Sequence, residues 1–108
     1  MSTSIKLDRL RETLSFVLEE DPEFPVRRLQ VLLYVSTKGP VTSSEISDIL
    51  KLFQANTGAH LKALATEHNG VKGHGFIEIG FQGNDYRSKY AKLTPKGEKF
   101  LKKLTDSL

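Results

Sequence analysis

The spacing of apolar residues changes once along this chain, near Gly75, and the change limits the folds that are open to it. Before Gly75, apolar residues recur every three or four positions, as on one face of a helix. After it, Ile77, Ile79 and Phe81 occupy alternate positions on one face of a predicted strand. Turn-forming residues at 82–85 precede a returning strand over 86–93. The pattern predicts a mainly α fold with a small β-hairpin, of the α+β class.

Two predicted helices lie in the N-terminal third of the chain. The first runs over residues 5–20, is capped by Thr3 or Ser4, and ends at Asp21 because a proline follows. Its apolar stripe consists of Leu7, Leu10, Leu14 and Val17. The second runs over residues 25–36 and is apolar on more than one side, so we expect it to be central.

A third and a fourth helix follow, with a short connection at 52–54 between them. Thr42 and Glu45 have the spacing of a capping box, which starts the third helix. Its apolar face is predicted to hold Ile46, Ile49 and Leu50. The fourth helix begins near Gln54 and ends at residues 69–70, where glycine favours a helix stop. This pair, over about 42–69, is a helix-turn-helix.

The remaining segments complete a winged helix-turn-helix, in which the hairpin at about 75–93 is the wing. We expect the glycine-rich link before the hairpin to be a flexible connector, because it lacks the spacing and the following helix of a phosphate loop. Thr94 and Pro95 start a last helix, over about 95–107. Its apolar stripe is Phe100, Leu101, Leu104 and Leu108. All 108 residues are predicted to form a single domain.

Charge is unevenly distributed along the sequence. Residues 1–50 hold six Lys/Arg against eight Asp/Glu, a balance of −2, whereas residues 51–108 hold ten against five, a balance of +5. A basic half suits a polyanionic partner, since lysine and arginine displace counterions from phosphates. The alternative is a set of lysine-rich helix faces that are merely solvated.

Composition argues against several classes of function. The chain has no cysteine, so it has no disulfide, thiolate metal site or catalytic thiol. The three histidines lack metal-ligand spacing, and no catalytic triad or carboxylate pair is evident, so we expect neither an enzyme nor a cofactor. Without a signal peptide or an apolar run long enough for a membrane, we expect a cytoplasmic protein that does not contact membranes.

The fourth helix presents side chains that suit DNA at its N-terminal end. Once Thr57, Leu61 and Leu64 are assigned to the core, small and polar residues face outward. Asparagine can bond to adenine, small residues permit close approach, and lysine can reach guanine or phosphate. Any solvated helix face can carry such residues, which is the alternative interpretation. The candidate DNA-binding residues are Gln54, Ala55, Asn56, Gly58, Ala59, His60 and Lys62.

Three segments around the hairpin carry a family resemblance. They are Gly75-Phe76-Ile77-Glu78, Asp85-Tyr86-Arg87 and Leu93-Thr94-Pro95-Lys96-Gly97, and with the start of the third helix they resemble the MarR family of winged-helix transcription regulators over about 25–103. The resemblance implies that Arg87 enters a DNA minor groove, with Lys89 also in the wing, while Asp85 braces it. The alternative is a simple pair between Asp85 and Arg87 at an exposed turn.

The function predicted from these features is sequence-specific binding of double-stranded DNA by a transcription regulator, more often a repressor. The link before the wing is longer, and the chain shorter, than is typical of the family, so dimer geometry and any small-molecule effector stay open. The leucine stripes of the terminal helices predict a homodimer, although each stripe also suits ordinary core. The rival function is a winged-helix module that binds an acidic protein partner.

Overall fold

The computed structural model describes residues 2–68 and 71–108. Within them the order of elements is four helices, a short strand pair, a hairpin and a last helix, which confirms the predicted α+β architecture. The helices are α1 (Thr3–Glu20), α2 (Val26–Lys38), α3 (Ser43–Leu50), α4 (Gln54–Leu64) and α5 (Pro95–Asp106). The strands are β1 (Glu67–His68), β2 (Val71–Lys72), β3 (Ile77–Gln82) and β4 (Asp85–Leu93).

The hydrophobic core is built around α2, as its apolar pattern predicts. Val31, Leu32 and Val35 of this helix are buried, and side chains from α3, α4 and the hairpin surround them. Burial of this apolar surface is the main force that holds the elements together. The surrounding buried residues are Ile46, Leu61, Leu64, Phe76, Ile77 and Ala91.

Local capping signals locate most helix ends. The capping box of α3 forms as predicted: the Glu45 backbone N–H donates to Thr42 Oγ1 at 3.2 Å, and the Thr42 N–H donates to Glu45 Oε2 at 3.3 Å. The cap of α1 is Ser2 and not Thr3 or Ser4, since its hydroxyl oxygen accepts the Ile5 N–H. The helix therefore starts two residues earlier than predicted.

Helix α4 ends at Leu64, five residues before the predicted stop, which lies outside the described residues. The His74 N–H donates to the Ala63 carbonyl at 2.8 Å, and the Phe76 N–H donates to the Leu64 carbonyl at 2.9 Å. A continuing helix would need these carbonyls for the N–H groups of residues 67 and 68. The chain after α4 therefore takes up the carbonyl acceptors that another helical turn would use.

The link before the wing makes specific contacts with the rest of the fold. Residues 67–68 pair with 71–72 as antiparallel strands, β1 with β2. A Cβ at Gly73 would lie 2.3 Å from the Ala65 carbonyl oxygen and 2.4 Å from that of Ala63, so only glycine fits against the end of α4. The His74 ring stacks on Phe76, with 5.4 Å between ring centroids, and its Nδ1 lies 3.3 Å from Glu20 Oε1. These contacts join the link to α1 and to the core.

The wing is the antiparallel hairpin β3–β4, and its pairing is irregular near the tip. Ile77 pairs with Leu93 and Ile79 with Ala91, but the register shifts between Gly80 and Gln82. Phe81, predicted on the same face as Ile77 and Ile79, lies at this irregular end and is 49% exposed, whereas Ile77 is buried. Phe81 instead contacts Tyr86 edge-on, with ring centroids 5.9 Å apart.

The two terminal helices pack together, and α1 presents a second apolar face that none of the described residues covers. Val17 of α1 and Leu104 of α5 are buried, whereas Leu108 is exposed. Most of the stripe predicted on α1 therefore does not belong to the hydrophobic core of a single chain. Leu7, Leu10 and Leu14 of that stripe are exposed, and so are Ile5 and Leu18 of the same helix. Among the described residues, no helix is long and apolar enough to cross a membrane.

Candidate nucleic-acid interface

A buried polar contact joins α3 and α4. The Ser47 hydroxyl donates to Thr57 Oγ1 at 2.8 Å, and both side chains are buried between the helices. Arg27 Nη1 donates to the Leu50 carbonyl at 3.1 Å and so ties the end of α3 to α2. Since a buried hydroxyl without a partner is costly, the Ser47–Thr57 pair favours one orientation of α4.

The N-terminal face of α4 lies open to solvent, as predicted, and α4 contains no acidic residue. The Gln54 amide nitrogen donates to Ser44 Oγ at 3.1 Å, which restrains that side chain. Gly58 has no atom within 4 Å of the position of a Cβ. A surface of small residues with an amide and an ammonium is compatible with close approach of a nucleic acid. The exposed predicted residues are Gln54, Ala55, Asn56, Ala59 and Lys62, and Gly58 is half-buried.

His60 lies differently from the other predicted residues of α4. Its side chain is half-buried, and its Nδ1 is buried without a hydrogen-bond partner among the described residues. Burial, followed by the positive charges of Arg28 and Arg27, lowers the pKa of His60 below the usual value. The neutral imidazole is therefore favoured, and the side chain is less exposed than those of Asn56 and Lys62.

Backbone hydrogen bonds hold the wing to the helix-turn-helix. The Ala91 N–H donates to the Val41 carbonyl at 2.7 Å, and the Val41 N–H donates back at 3.1 Å, so β4 pairs with the chain just before α3. Ala65, which follows α4, forms a parallel bridge with Ile77 of β3. The wing is consequently attached both to the chain before α3 and to the chain after α4.

Hydrogen bonds and close packing at the start of α5 account for the residue types found at 93–97. The Thr94 hydroxyl oxygen accepts the Gly97 N–H at 3.1 Å, and the same hydroxyl donates to the Gly75 carbonyl at 2.6 Å. Pro95 occupies the first turn of α5, where it needs no N–H partner. Gly97 lies against Phe76: a Cβ there would be 2.2 Å from the Phe76 carbonyl oxygen. The segment fastens α5 to the start of the wing.

Asp85 braces the tip of the wing through two hydrogen bonds. Its Oδ1 accepts the Arg87 backbone N–H at 2.9 Å, and its Oδ2 accepts the Tyr90 hydroxyl at 3.0 Å. The Arg87 N–H first, and then the Tyr90 hydroxyl, lower the pKa of Asp85, because both stabilise the carboxylate. The same contact raises the pKa of Tyr90 and keeps it a donor. The brace is intact above the ordinary aspartate range and is lost as pH falls through the lowered pKa.

The wing leaves two cations free of ion pairs among the described residues. Arg87 and Lys89 are exposed, whereas Lys92 pairs with Glu78 at 3.1 Å. The contact between Asp85 and Arg87 uses the backbone N–H of Arg87 and not its guanidinium. The guanidinium is therefore available to a partner, and the alternative of a simple side-chain pair does not describe this turn.

Sequence reasoning missed two residues of the connection between α3 and α4. Lys51 has φ +59°, a left-handed conformation that usually favours glycine. Phe53 stands at the N-cap of α4, makes no capping hydrogen bond, and is 81% exposed. A phenylalanine at a position that favours serine, threonine or aspartate was the available signal. Ile49 of α3 is also exposed, so its prediction as a core-facing residue is wrong.

No metal site is formed by the described residues, since they contain no group of three or more His, Cys, Asp or Glu side chains placed to hold an ion. The arrangement is instead a projecting helix with cationic and amide side chains next to a braced hairpin.

Comparison with known sequences identifies the helix-turn-helix segment. The sequence model of the bacterial regulatory protein, arsR family, matches residues 25–67, which hold α2, α3 and α4. This result supports a winged helix-turn-helix of the regulator type. The sequence has no significant match among curated proteins.

Several solved structures share the fold. RV1404 from Mycobacterium tuberculosis matches 97% of this chain with a TM-score of 0.74 and 17% identity, and the chain spans 66% of its length. A MarR-like transcriptional regulator from Thermotoga maritima matches 99% of this chain, and the match covers 75% of that regulator's chain, with a TM-score of 0.68 and 20% identity. MarR from E. coli matches 95% of this chain, and the match covers 70% of the MarR chain, with a TM-score of 0.67 and 17% identity. At these identities the likeness establishes the winged-helix fold.

Proposed function

We propose that this chain is a sequence-specific transcription regulator of the MarR type that binds double-stranded DNA. The observation that carries the proposal is the joint placement of α4 and the wing. The exposed face of α4 projects beside a hairpin whose base is hydrogen-bonded to the end of the same helix. A recognition helix that enters the major groove requires a wing at a fixed offset to reach the flanking backbone or minor groove.

The two parts of this surface have different tasks. Asn56 and Lys62 of α4 contact base edges or phosphates in the major groove, where an amide and an ammonium can distinguish bases. Arg87 of the wing enters the minor groove, whose narrow form attracts a guanidinium, and Lys89 contacts phosphate. Supporting this division, all four side chains are exposed. His60, whose neutral form is favoured, supplies little positive charge to this surface.

In this proposal the protein regulates transcription by occupying its DNA site. A domain of this size, bound at a promoter, blocks the polymerase without further parts, so we assign repression. The chain acts in the cytoplasm by binding alone, without a catalytic or cofactor-dependent step. A partner with an acidic protein surface is the competing account, since the same cations would serve it.

The experiment that tests this function is selection of bound duplexes from a random library. We expect enrichment of a short motif, and in the Asn56→Ala variant we expect preference to relax at one base position, with a loss of about 1–3 kcal/mol on the preferred site. The Ser15→Ala variant is the matched control, because Ser15 lies on α1 and bonds only to the Arg11 carbonyl. Equal site preference in the wild type and Asn56→Ala would place the reading surface elsewhere.

We propose further that the regulator is a homodimer formed through α1. The apolar face that includes Leu7, Leu10 and Leu14 is exposed in the single chain and lies beside the face that packs on the core. Contiguous exposed leucines mark an association surface. Two copies related by two-fold symmetry match the symmetry of typical operator sites.

Substitution of Leu10 by glutamate separates association from folding. Leu10 is 48% exposed, so Leu10→Glu should leave the helical content unchanged and convert a sedimenting dimer to a monomer. Ser15→Glu places the same charge on another face of α1 and should remain dimeric. Leu104→Glu should unfold the chain, because that side chain is buried. A folded monomer of the wild type, well above DNA-binding concentrations, would contradict the dimer.

A further inference from the structure

The turn between α3 and α4 contains two residues whose local conformations are unfavourable. Lys51 adopts φ +59°, which an L-residue other than glycine, asparagine or aspartate rarely adopts. Phe53 holds the N-cap of α4 without accepting any N–H, and its ring is 81% exposed. Serine, threonine or aspartate would stabilise the helix at this position, and each would also remove an aromatic ring from water. Folding alone therefore does not account for Phe53.

Phe53 lies next to the surface already proposed to contact bases. It immediately precedes Gln54, Ala55 and Asn56, which form the exposed first turn of α4. Residues at the N-terminal end of a recognition helix are those that contact base edges. Lys51, two residues earlier in the chain, is also exposed and adds a cation to the same turn. An apolar ring within a cationic and amide surface matches the thymine methyl group, the one apolar feature in the major groove.

We propose that Phe53 is a specificity-determining residue that contacts the C5-methyl group of a thymine in each half-site. This inference rests on the proposed function and deepens it. The contact would bury ring surface that is otherwise in water, and thereby offset the loss of a capping group at α4. Cytosine, which lacks the methyl group, and purines, which carry polar atoms there, would be disfavoured at that position.

The test removes single methyl groups from DNA. Each thymine of a duplex obtained by selection is replaced in turn by deoxyuridine, which keeps base pairing and lacks the methyl. Wild-type binding should weaken about fourfold at one thymine per half-site, the effect of losing one buried methyl. Phe53→Ser should bind the unmodified duplex at least fourfold more weakly and should show no penalty for deoxyuridine at that thymine.

Two controls separate recognition from folding. Phe53→Ser restores a capping residue, so its Tm should rise by a few degrees while its DNA affinity falls; a purely structural role would lower both. Ile49→Ser removes another exposed apolar side chain of the same helix pair and should retain the deoxyuridine penalty. If the wild type enriches no sequence, the proposed function fails and this inference fails with it. If it enriches a site but Phe53→Ser shows the same deoxyuridine penalties as the wild type, only this inference is overturned.

Discussion

Gly97→Ala should unfold this protein at a temperature about 15 °C lower than the wild type. A Cβ on Gly97 would lie 2.2 Å from the Phe76 carbonyl oxygen and 2.8 Å from Leu93 Cδ1. The carbonyl cannot move away freely, since it accepts the Thr94 N–H at 2.9 Å. Overpacking at such a point costs about 3 kcal/mol, and each kcal/mol shifts Tm by roughly 4–8 °C in a domain of similar size.

Gly58→Ala is the matched control and should have the opposite sign. Gly58 lies within α4, where a Cβ would meet no atom within 4 Å, and alanine favours a helix over glycine by about 1 kcal/mol. Thermal unfolding followed by circular dichroism measures both changes. A Gly97→Ala protein as stable as the wild type would show that α5 does not approach Phe76 as described.

Arg87→Ala should weaken binding to the preferred duplex about tenfold or more, which exceeds the effect of removing one solvated charge. A guanidinium is less strongly hydrated than an ammonium, so insertion into a narrow groove favours arginine. Arg87→Lys should therefore restore only part of the affinity. Measurement at fixed salt on one duplex distinguishes these outcomes, and full affinity in Arg87→Lys would indicate an ordinary phosphate contact instead.

The direction in which substitution of Asp85 changes DNA affinity tests the geometry of the wing. Asp85→Ala removes a negative charge near phosphates, so electrostatics alone predicts tighter binding. It also removes the acceptor of the Arg87 N–H and of the Tyr90 hydroxyl, so bracing predicts weaker binding. We expect weaker binding for Asp85→Ala. Asp85→Asn keeps an acceptor and removes the charge, so it should bind at least as tightly as the wild type. Tighter binding by Asp85→Ala would show that the brace is unimportant.

The features predicted correctly from the sequence are those set by neighbouring residues. Thr42 and Glu45 form their capping box three residues apart, and Thr94 with Pro95 starts α5, because these signals act within one helical turn. The helix pair, the hairpin and the central position of α2 follow from the spacing of apolar residues. Thr57, Leu61 and Leu64 are buried as their periodicity predicts.

The predictions that were wrong depend on contacts between distant residues. The end of α4 is set by N–H groups at 74 and 76, ten or more residues beyond the helix, which no local pattern shows. The register shift of the hairpin near Phe81 depends on both strands, so the spacing of apolar residues in one strand does not show it.

The central claim is that α4 and the wing bind duplex DNA with sequence preference, and binding-site selection with the full chain tests it most directly. The account predicts an enriched inverted repeat, with half-sites about 10 base pairs apart between centres. Affinity for that duplex should fall with salt, with a logarithmic slope of about −0.9 per phosphate contacted. A folded protein that enriches no sequence, and whose affinity for duplex DNA does not change with salt, would contradict the account.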